Sequence, residues 1–250
     1  MKQITIFLVL FVIISLSNLA NCQTSGKIFY NISHNWSKKM LNCKYLSKTD
    51  RENSSYVWGS NNEYIEKGIL TFNENFNIFE NIPNEEYERY YSSRKENYYI
   101  YRDVEKNKML NIQKVLGKEY AIEDSIHCIN WKIRNDMKEV AGHICMNAYY
   151  YDTIRDKEIV AWFALDMPIA IGPDGYCGLP GAILELDMNN GSQIYTATNI
   201  IPSDEPLKIT IPEIKKKTKV ISYNDFVEME NKSILESKKL TRPYFWQISY

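Results

Sequence analysis

The residues with the most chemical potential in this sequence are its cysteines, at positions 22, 43, 128, 145 and 177. Two of them sit in a stretch that reads as a hairpin. Ile129, Trp131 and Ile133 share one strand face, and Val140, Gly142 and Ile144 share one face of the next strand. If those apolar faces coincide, two registers offset the cysteines by two residues, while the one between them makes Asp136-Met137 the turn, lays Trp131 over Gly142 and sets Cys128 opposite Cys145. In an oxidising compartment that register predicts a Cys128–Cys145 cross-strand disulfide. Cys145–Cys177 is the main rival pairing, and Cys43 keeps further connectivities open. His143 would share the face of Cys128 and Cys145, so the same atoms suit Zn or Cu. The chain has only three histidines and neither C-x-x-C nor H-E-x-x-H, so no metal site is assigned.

Other chemistry is weaker. Glu185 and Asp187 share a strand parity, as paired carboxylates for acid–base work might. Charges alternating with Leu184 and Leu186 read more simply as a solvent face. Asp124, Ser125 and His127 are adjacent in sequence, whereas triad members normally come from separate elements. Between Pro168 and Gly181 lie three prolines and four glycines, a rigid loop built by fixed φ at Pro and permitted positive φ at Gly. Phosphate cradles need a strand-to-helix context and usually a following Lys. Here Gly181 leads into an apolar strand, so a structural corner on one rim of the fold is expected. No catalytic residue and no cofactor is assigned.

The elements that must position these groups are mostly strands. Alternating or apolar runs predict strands at Lys27–Ser33, Gly68–Phe72, Asn75–Glu80, Tyr98–Val104 and Met109–Leu116. They continue at Ile126–Arg134, Val140–Tyr151, Ile159–Leu165, Ala182–Met188 and Gln193–Ile201. Leu207–Ile211 and Lys219–Ser222 are weaker. Asn189-Asn190-Gly191 is a hairpin turn, since Asn and Gly accept positive φ. Asn35–Leu46 reads as a short helix, and Tyr223–Lys239 as a longer one capped by Asn224. Asn53–Glu63 and Asn84–Asn97 read as loops. The pattern predicts a mainly β fold, an antiparallel meander curled into a bowl or half-barrel with one or two packed helices.

The first residues supply an address. Met1-Lys2-Gln3 is short and basic, Ile4–Ile14 is apolar but far below the roughly 20 residues of a membrane span, and small polar residues follow. That is the order of a signal peptide over residues 1–22, with cleavage expected before Gln23 and one domain over 23–250. Leu19-Ala20-Asn21-Cys22 also resembles a lipobox, in which Cys22 would be lipidated. The net charge is −1 and the basic residues are dispersed, which excludes a nucleic-acid footprint. No second apolar segment reaches membrane length, so no transmembrane helix is expected in the mature chain.

One set of motifs is more specific. Trp131-Lys132-Ile133, Gly142 with Cys145, Ala161-Trp162-Phe163, Gly172-Pro173 and Gly178-Leu179-Pro180-Gly181 occur in the order seen in the GLPGLI family of exported Bacteroidetes proteins, which this chain resembles. Ala182 stands where that family's name-giving Leu would be. The resemblance implies a fold similar to the bowl-like domain preceding some bacterial peptide:N-glycosidases, and an outer-membrane TonB-dependent receptor as partner. It implies no catalytic residues. The expected function is a binding or interaction module of the envelope, for an apolar ligand or a receptor. The alternatives are an envelope hydrolase with an unrecognised site and a structural surface component.

Overall fold

The structure, a computed structural model, describes residues 25–58, 63–82 and 98–246. The leader with Cys22 and the Asn84–Asn97 segment lie outside the described residues. One 12-stranded sheet organises the chain. Its strands are β1 (Gly26–Asn35), β2 (Glu63–Phe72), β3 (Phe76–Ile82), β4 (Tyr99–Asp103), β5 (Lys108–Val115) and β6 (Lys118–Ser125). They continue as β7 (Lys132–Val140), β8 (His143–Asp152), β9 (Lys157–Ala164), β10 (Ala182–Met188), β11 (Gln193–Pro202) and β12 (Lys219–Ile221). The spatial order is β12-β6-β5-β4-β3-β2-β1-β11-β10-β9-β8-β7. Pairing is antiparallel throughout, except that β12 joins β6 in parallel. The sheet is not closed into a barrel, and β4 and β9, with five strands between them in that order, line one cavity. Only a strongly curled sheet brings them together, as accumulated strand twist requires.

Alternation places Ile28, Tyr30 and Ile32 of β1, Leu70 and Phe72 of β2, and Phe79 of β3 in one core with Ile159, Phe163, Leu186 and Tyr195. Every one of these is at most 2% exposed. A second, smaller cluster of Ile78, Tyr101, Leu110, Ile112 and Ala121 packs with Ile209. Its residues on β3 to β5 flank the inward-facing ones in sequence, so this cluster lies on the outer face. The chain between β11 and β12 crosses that face in extended form. Asn73 donates to the Leu207 carbonyl, and the Leu207 N–H donates to Ser25 Oγ. Leu207–Ile211, expected as a strand, alternates as one but joins no ladder, because it lies over the sheet and not at its edge.

Among the described residues, three α-helices accompany the sheet. In α1 (Trp36–Leu41), Asn35 caps the first turn through the Lys38 N–H. The second helix, α2 (Lys48–Trp58), occupies part of what reads as a loop. Its start is written in Ser47 and Asp50: Ser47 Oγ accepts from the Asp50 N–H, a side-chain cap upstream of the polar stretch. In α3 (Tyr223–Lys239) the cap is Ser222, not Asn224, and it accepts from the Asp225 N–H. This helix is a crossbar between the two arms of the sheet. Phe226 packs with Met109, Val115 and Ile122 on one arm. Glu230 and Lys238 reach Arg155 and the Ile154 carbonyl on the other. No helix among the described residues is long and apolar enough to cross a membrane.

The β7–β8 hairpin differs from the expected one. Its turn is Ala141-Gly142, both at positive φ (52° and 84°), and not Asp136-Met137. Lys138 therefore pairs with Cys145 and Val140 with His143, and a bulge between Ile133 and Met137 absorbs the extra residues. Gly142 sits in the turn, so Trp131 does not lie over it. Cys128 precedes the strand and bonds to Cys177, while Cys145 and Cys43 are buried free thiols. The expected Cys128–Cys145 bond and its rival Cys145–Cys177 are both replaced. The cause is the turn: a two-residue hairpin with both residues at positive φ matches strand twist whether its first residue is Ala or Asn.

Candidate functional site: a charged cavity walled by the Gly172–Gly181 loop

The loop that reads as a rim corner folds into the bowl. Pro173-Asp174-Gly175 makes a single 3-10 turn that touches β2, β3, β4 and β10. On one side it completes the apolar core, with Ile171 and Leu179 buried and Tyr30 donating its hydroxyl to the Ile183 carbonyl at 2.7 Å. On the other side it presents Asp174, Gly175 and Tyr176 to a cavity of about 320 Å3. Gly175 is required there by conformation and by space. Its φ is +79°, and a Cβ would collide with Arg102 Nη2 and with Ile100 Cγ2. The Cys128–Cys177 disulfide holds the end of the loop, and Trp131 Nε1 donates to the Cys177 carbonyl at 2.9 Å.

The opposite walls come from both arms of the sheet and from the crossbar helix. From β4 and β5 come Ile100, Arg102, Met109, Asn111 and Gln113. From the β8–β9 hairpin come Tyr150, Asp152, Arg155 and Lys157, and from α3 come Phe226, Val227 and Glu230. On the cavity wall the His127 ring stacks on Tyr223 with centroids 4.2 Å apart.

Burial sets the electrostatics. Arg155 forms a clamp, with Nη1 donating to Asp152 Oδ2 at 2.9 Å and Nη2 donating to Glu230 Oε2 at 2.7 Å. The two carboxylates hold its guanidinium firmly charged, above the ordinary arginine range despite burial. Asp152 is held below its ordinary value by Arg155, against its burial. Lys157 is 2% exposed. Desolvation, reinforced by Arg155, brings its amine down to about 7 against the opposing pull of the nearby acids. Arg102 is 7% exposed, and burial pushes it down to about 10, so it stays charged at neutral pH. Its Nη1 donates to the Tyr101 carbonyl at 2.9 Å and to Asn111 Oδ1 at 2.5 Å. Tyr176 and Tyr223 are raised by burial and remain neutral phenols.

A polar chain continues from the loop into the core. Asp174 Oδ2 accepts from Tyr195 at 3.1 Å, and the Tyr195 hydroxyl accepts from Gln193 at 2.9 Å. Gln193 in turn meets Lys39, which lies 3.0 Å from His34 Nδ1. The chain has the buried, mutually satisfied character of polar networks that fix one packing arrangement.

The other residues singled out by sequence lie elsewhere. His143 Nδ1 is 2.8 Å from Asp166, and Cys145 is beside the His143 carbonyl. Cys128 is committed to its disulfide, so these three do not form a ligand set. Among the described residues no group of His, Cys, Asp and Glu is placed to hold a metal ion. Glu185 binds Lys138 at 2.5 Å, and the Lys138 ammonium lies over the Trp162 ring at 4.4 Å. Asp187 accepts from the Gly191 N–H of its own hairpin turn at 2.6 Å, so the two carboxylates do not act as a pair. Ser125 Oγ faces Asp124 and not His127, and the order needed for a triad is absent. Gly172, Pro173, Gly178, Leu179, Pro180 and Gly181 form the loop itself. Gly178 is at φ +102°, where a Cβ would lie 2.6 Å from the Ile129 carbonyl.

Sequence reasoning missed the cavity residues, because Arg102, Asp152, Arg155, Lys157 and Glu230 come from three separated segments. Asp152 and Arg155 do carry a local signal. Asp152 Oδ1 accepts from the Ile154 and Arg155 N–H groups, an Asx turn in the Asp-Thr-Ile-Arg-Asp run.

Comparison with known proteins adds fold and little chemistry. A family described as a protein of unknown function (Porph_ging) matches residues 151–185, the stretch holding Asp152, Arg155, Lys157 and the whole Gly172–Gly181 loop. No curated protein matches the chain. Two crystal structures of PNGF-II are similar in fold. In space group P21 the identity is 12%, the TM-score 0.50, and the match covers 82% of this chain and 33% of that one. In space group C2 the identity is 12%, the TM-score 0.48, and the coverage 85% and 33%. The chain thus spans about a third of the length of PNGF-II, and at that identity the likeness is one of fold alone.

Proposed function

We propose that this chain is an exported envelope protein of the GLPGLI type, cleaved before Gln23, that works as a binding module with its ligand in the charged cavity. The observation that carries the reading is the cavity's construction. Two distant arms of one sheet, a helix and a disulfide-held loop converge on a space of about 320 Å3, within the usual range of ligand sites. Ile100, Met109, Phe226 and Val227 give it an apolar wall, and Arg102, Arg155 and Lys157 a charged one. The expected apolar ligand is thereby narrowed to an amphiphile. A TonB-dependent receptor as partner goes with the family resemblance and rests on it alone.

Native mass spectrometry of the protein released gently from the envelope tests this. Wild type is expected to carry a small molecule, and Val227→Trp, which fills the cavity, is expected to lose it. Unliganded wild type at native expression would refute the reading. Fatty-acid labelling of wild type and Cys22→Ala decides the anchoring, with no label expected on either.

A second reading, an envelope hydrolase, is favoured by the Lys157 amine at about 7, which suits a general base. Against it, the cavity lining among the described residues holds no Ser, Thr or free thiol, and Asp152 and Glu230 are both engaged by Arg155. A turnover assay with acyl and glycosyl ester probes separates the two, and hydrolysis abolished by Lys157→Met would favour the enzyme.

A further inference from the structure

Resting on the ligand site just proposed, we infer that the cavity recognises a small carboxylate with a short apolar body, and that Arg102 is the residue that receives the carboxylate. The argument starts from what Arg102 lacks. Its guanidinium is 7% exposed and lines the cavity. Its bonded partners are neutral, the Tyr101 carbonyl and the Asn111 amide oxygen, and both are used by Nη1. Nε is buried without a hydrogen-bond partner among the described residues. Among the described residues no carboxylate comes within ion-pair distance of Arg102, and Asp174 acts on it only through space, in contrast to Arg155, which holds two carboxylates within 3 Å.

A buried cation with an unused donor edge is costly unless an anion meets it. The Nε–Nη2 edge of a guanidinium is a planar fork that matches a carboxylate with two parallel hydrogen bonds. Gly175 lets the loop backbone pack against Nη2, where any side chain would push into Nη2 and into Ile100.

The surroundings select the rest of the ligand. Asp174, Asp152 and Glu230 also line the cavity. Their charge disfavours a dianion such as a phosphate monoester and tolerates a monoanion. Ile100, Met109 and Phe226 offer apolar surface beside the fork. The volume of about 320 Å3 corresponds to roughly ten waters, room for a chain of several carbons and not for a long-chain lipid. Lys157, also on the wall, supplies a second positive charge on binding, since an added anion favours its protonated form.

The test is calorimetric titration of the full mature protein with hexanoate, hexyl phosphate and hexanol. Hexanoate is expected to bind, hexyl phosphate to bind at least about 10-fold more weakly, and hexanol not to bind. In Arg102→Met hexanoate affinity should fall by at least about 30-fold, with Arg102→Lys recovering only part, because charge is restored without the fork. Thermal unfolding checks that both variants fold. A spectral readout that a merely structural role would not move is the 15N–1H signal of the Arg102 Nε–H, expected to shift on hexanoate addition. Hexanol binding as well as hexanoate, or an Nε–H signal indifferent to hexanoate, would overturn the assignment while leaving the ligand site standing. Stronger binding of hexyl phosphate would assign the fork to phosphate and also overturn it. No probe bound, together with unliganded protein in native mass spectrometry, would remove both readings.

Discussion

The two flanks of the Gly172–Gly181 loop make opposite use of the same curled sheet. Toward Tyr30, Phe79 and Ile183 the bowl is dry and close-packed, with each side chain at most 1% exposed. Toward Arg102, Lys157 and Glu230 it keeps a charged space. A stability-driven fold would fill both, since burying ionised groups is expensive and apolar packing in their place is often neutral or favourable. The close-packed flank holds the loop, and the charged flank is where we propose that the ligand binds.

Substitutions on the two flanks should therefore behave differently. Phe79→Ala leaves a void amid Tyr30, Tyr98 and Tyr195. It should cost about 3–5 kcal/mol in urea unfolding, whereas Val227→Ala on the cavity wall should cost about 1 kcal/mol or less. Equal losses would erase the distinction. Replacing Cys128 and Cys177 together with Ser removes a link across 49 residues. It should lower stability by about 4 kcal/mol under non-reducing conditions, and should weaken ligand binding because the cavity wall is released. Tyr30→Phe strands the Ile183 carbonyl and should cost about 1–3 kcal/mol with no effect on the cavity.

A further effect is a pH dependence. Lys157 titrates near 7 when folded and near 10.5 when unfolded. Above about pH 7 the unfolded chain binds the extra proton, so stability rises with pH. Below pH 7 both states are protonated and the contribution is flat. The free thiols oppose this only later, since Cys43 and Cys145 are raised to about 11 and their unfolded forms lose protons near 9. Unfolding midpoints between pH 7 and 9 should climb in wild type and flatten in Lys157→Met.

Legibility divided along similar lines. Strands with period-2 patterning were readable, and Ala182–Met188 and the Asn189-Asn190-Gly191 turn are found as the pattern dictates. So are the curled sheet and α3. Turns built on Leu116-Gly117 and Ala141-Gly142 were not readable, since Leu and Ala carry no preference for positive φ. Missing the first hid β6, and missing the second shifted the β7–β8 register and with it the disulfide. The cavity was opaque for another reason. Arg102 and Glu230 are 128 residues apart (230 − 102), and nothing local in either marks it as buried. The loop was legible as rigid, but the side of the sheet on which it lies is a property of the whole fold.

The most direct measurement is a crystal structure of the mature protein purified without ligand exchange from its own envelope. The cavity should contain a bound small acid, its carboxylate on the Nε–Nη2 edge of Arg102 and its apolar end toward Met109 and Phe226. A cavity filled only by water, with Arg102 solvated by that water, would contradict the account.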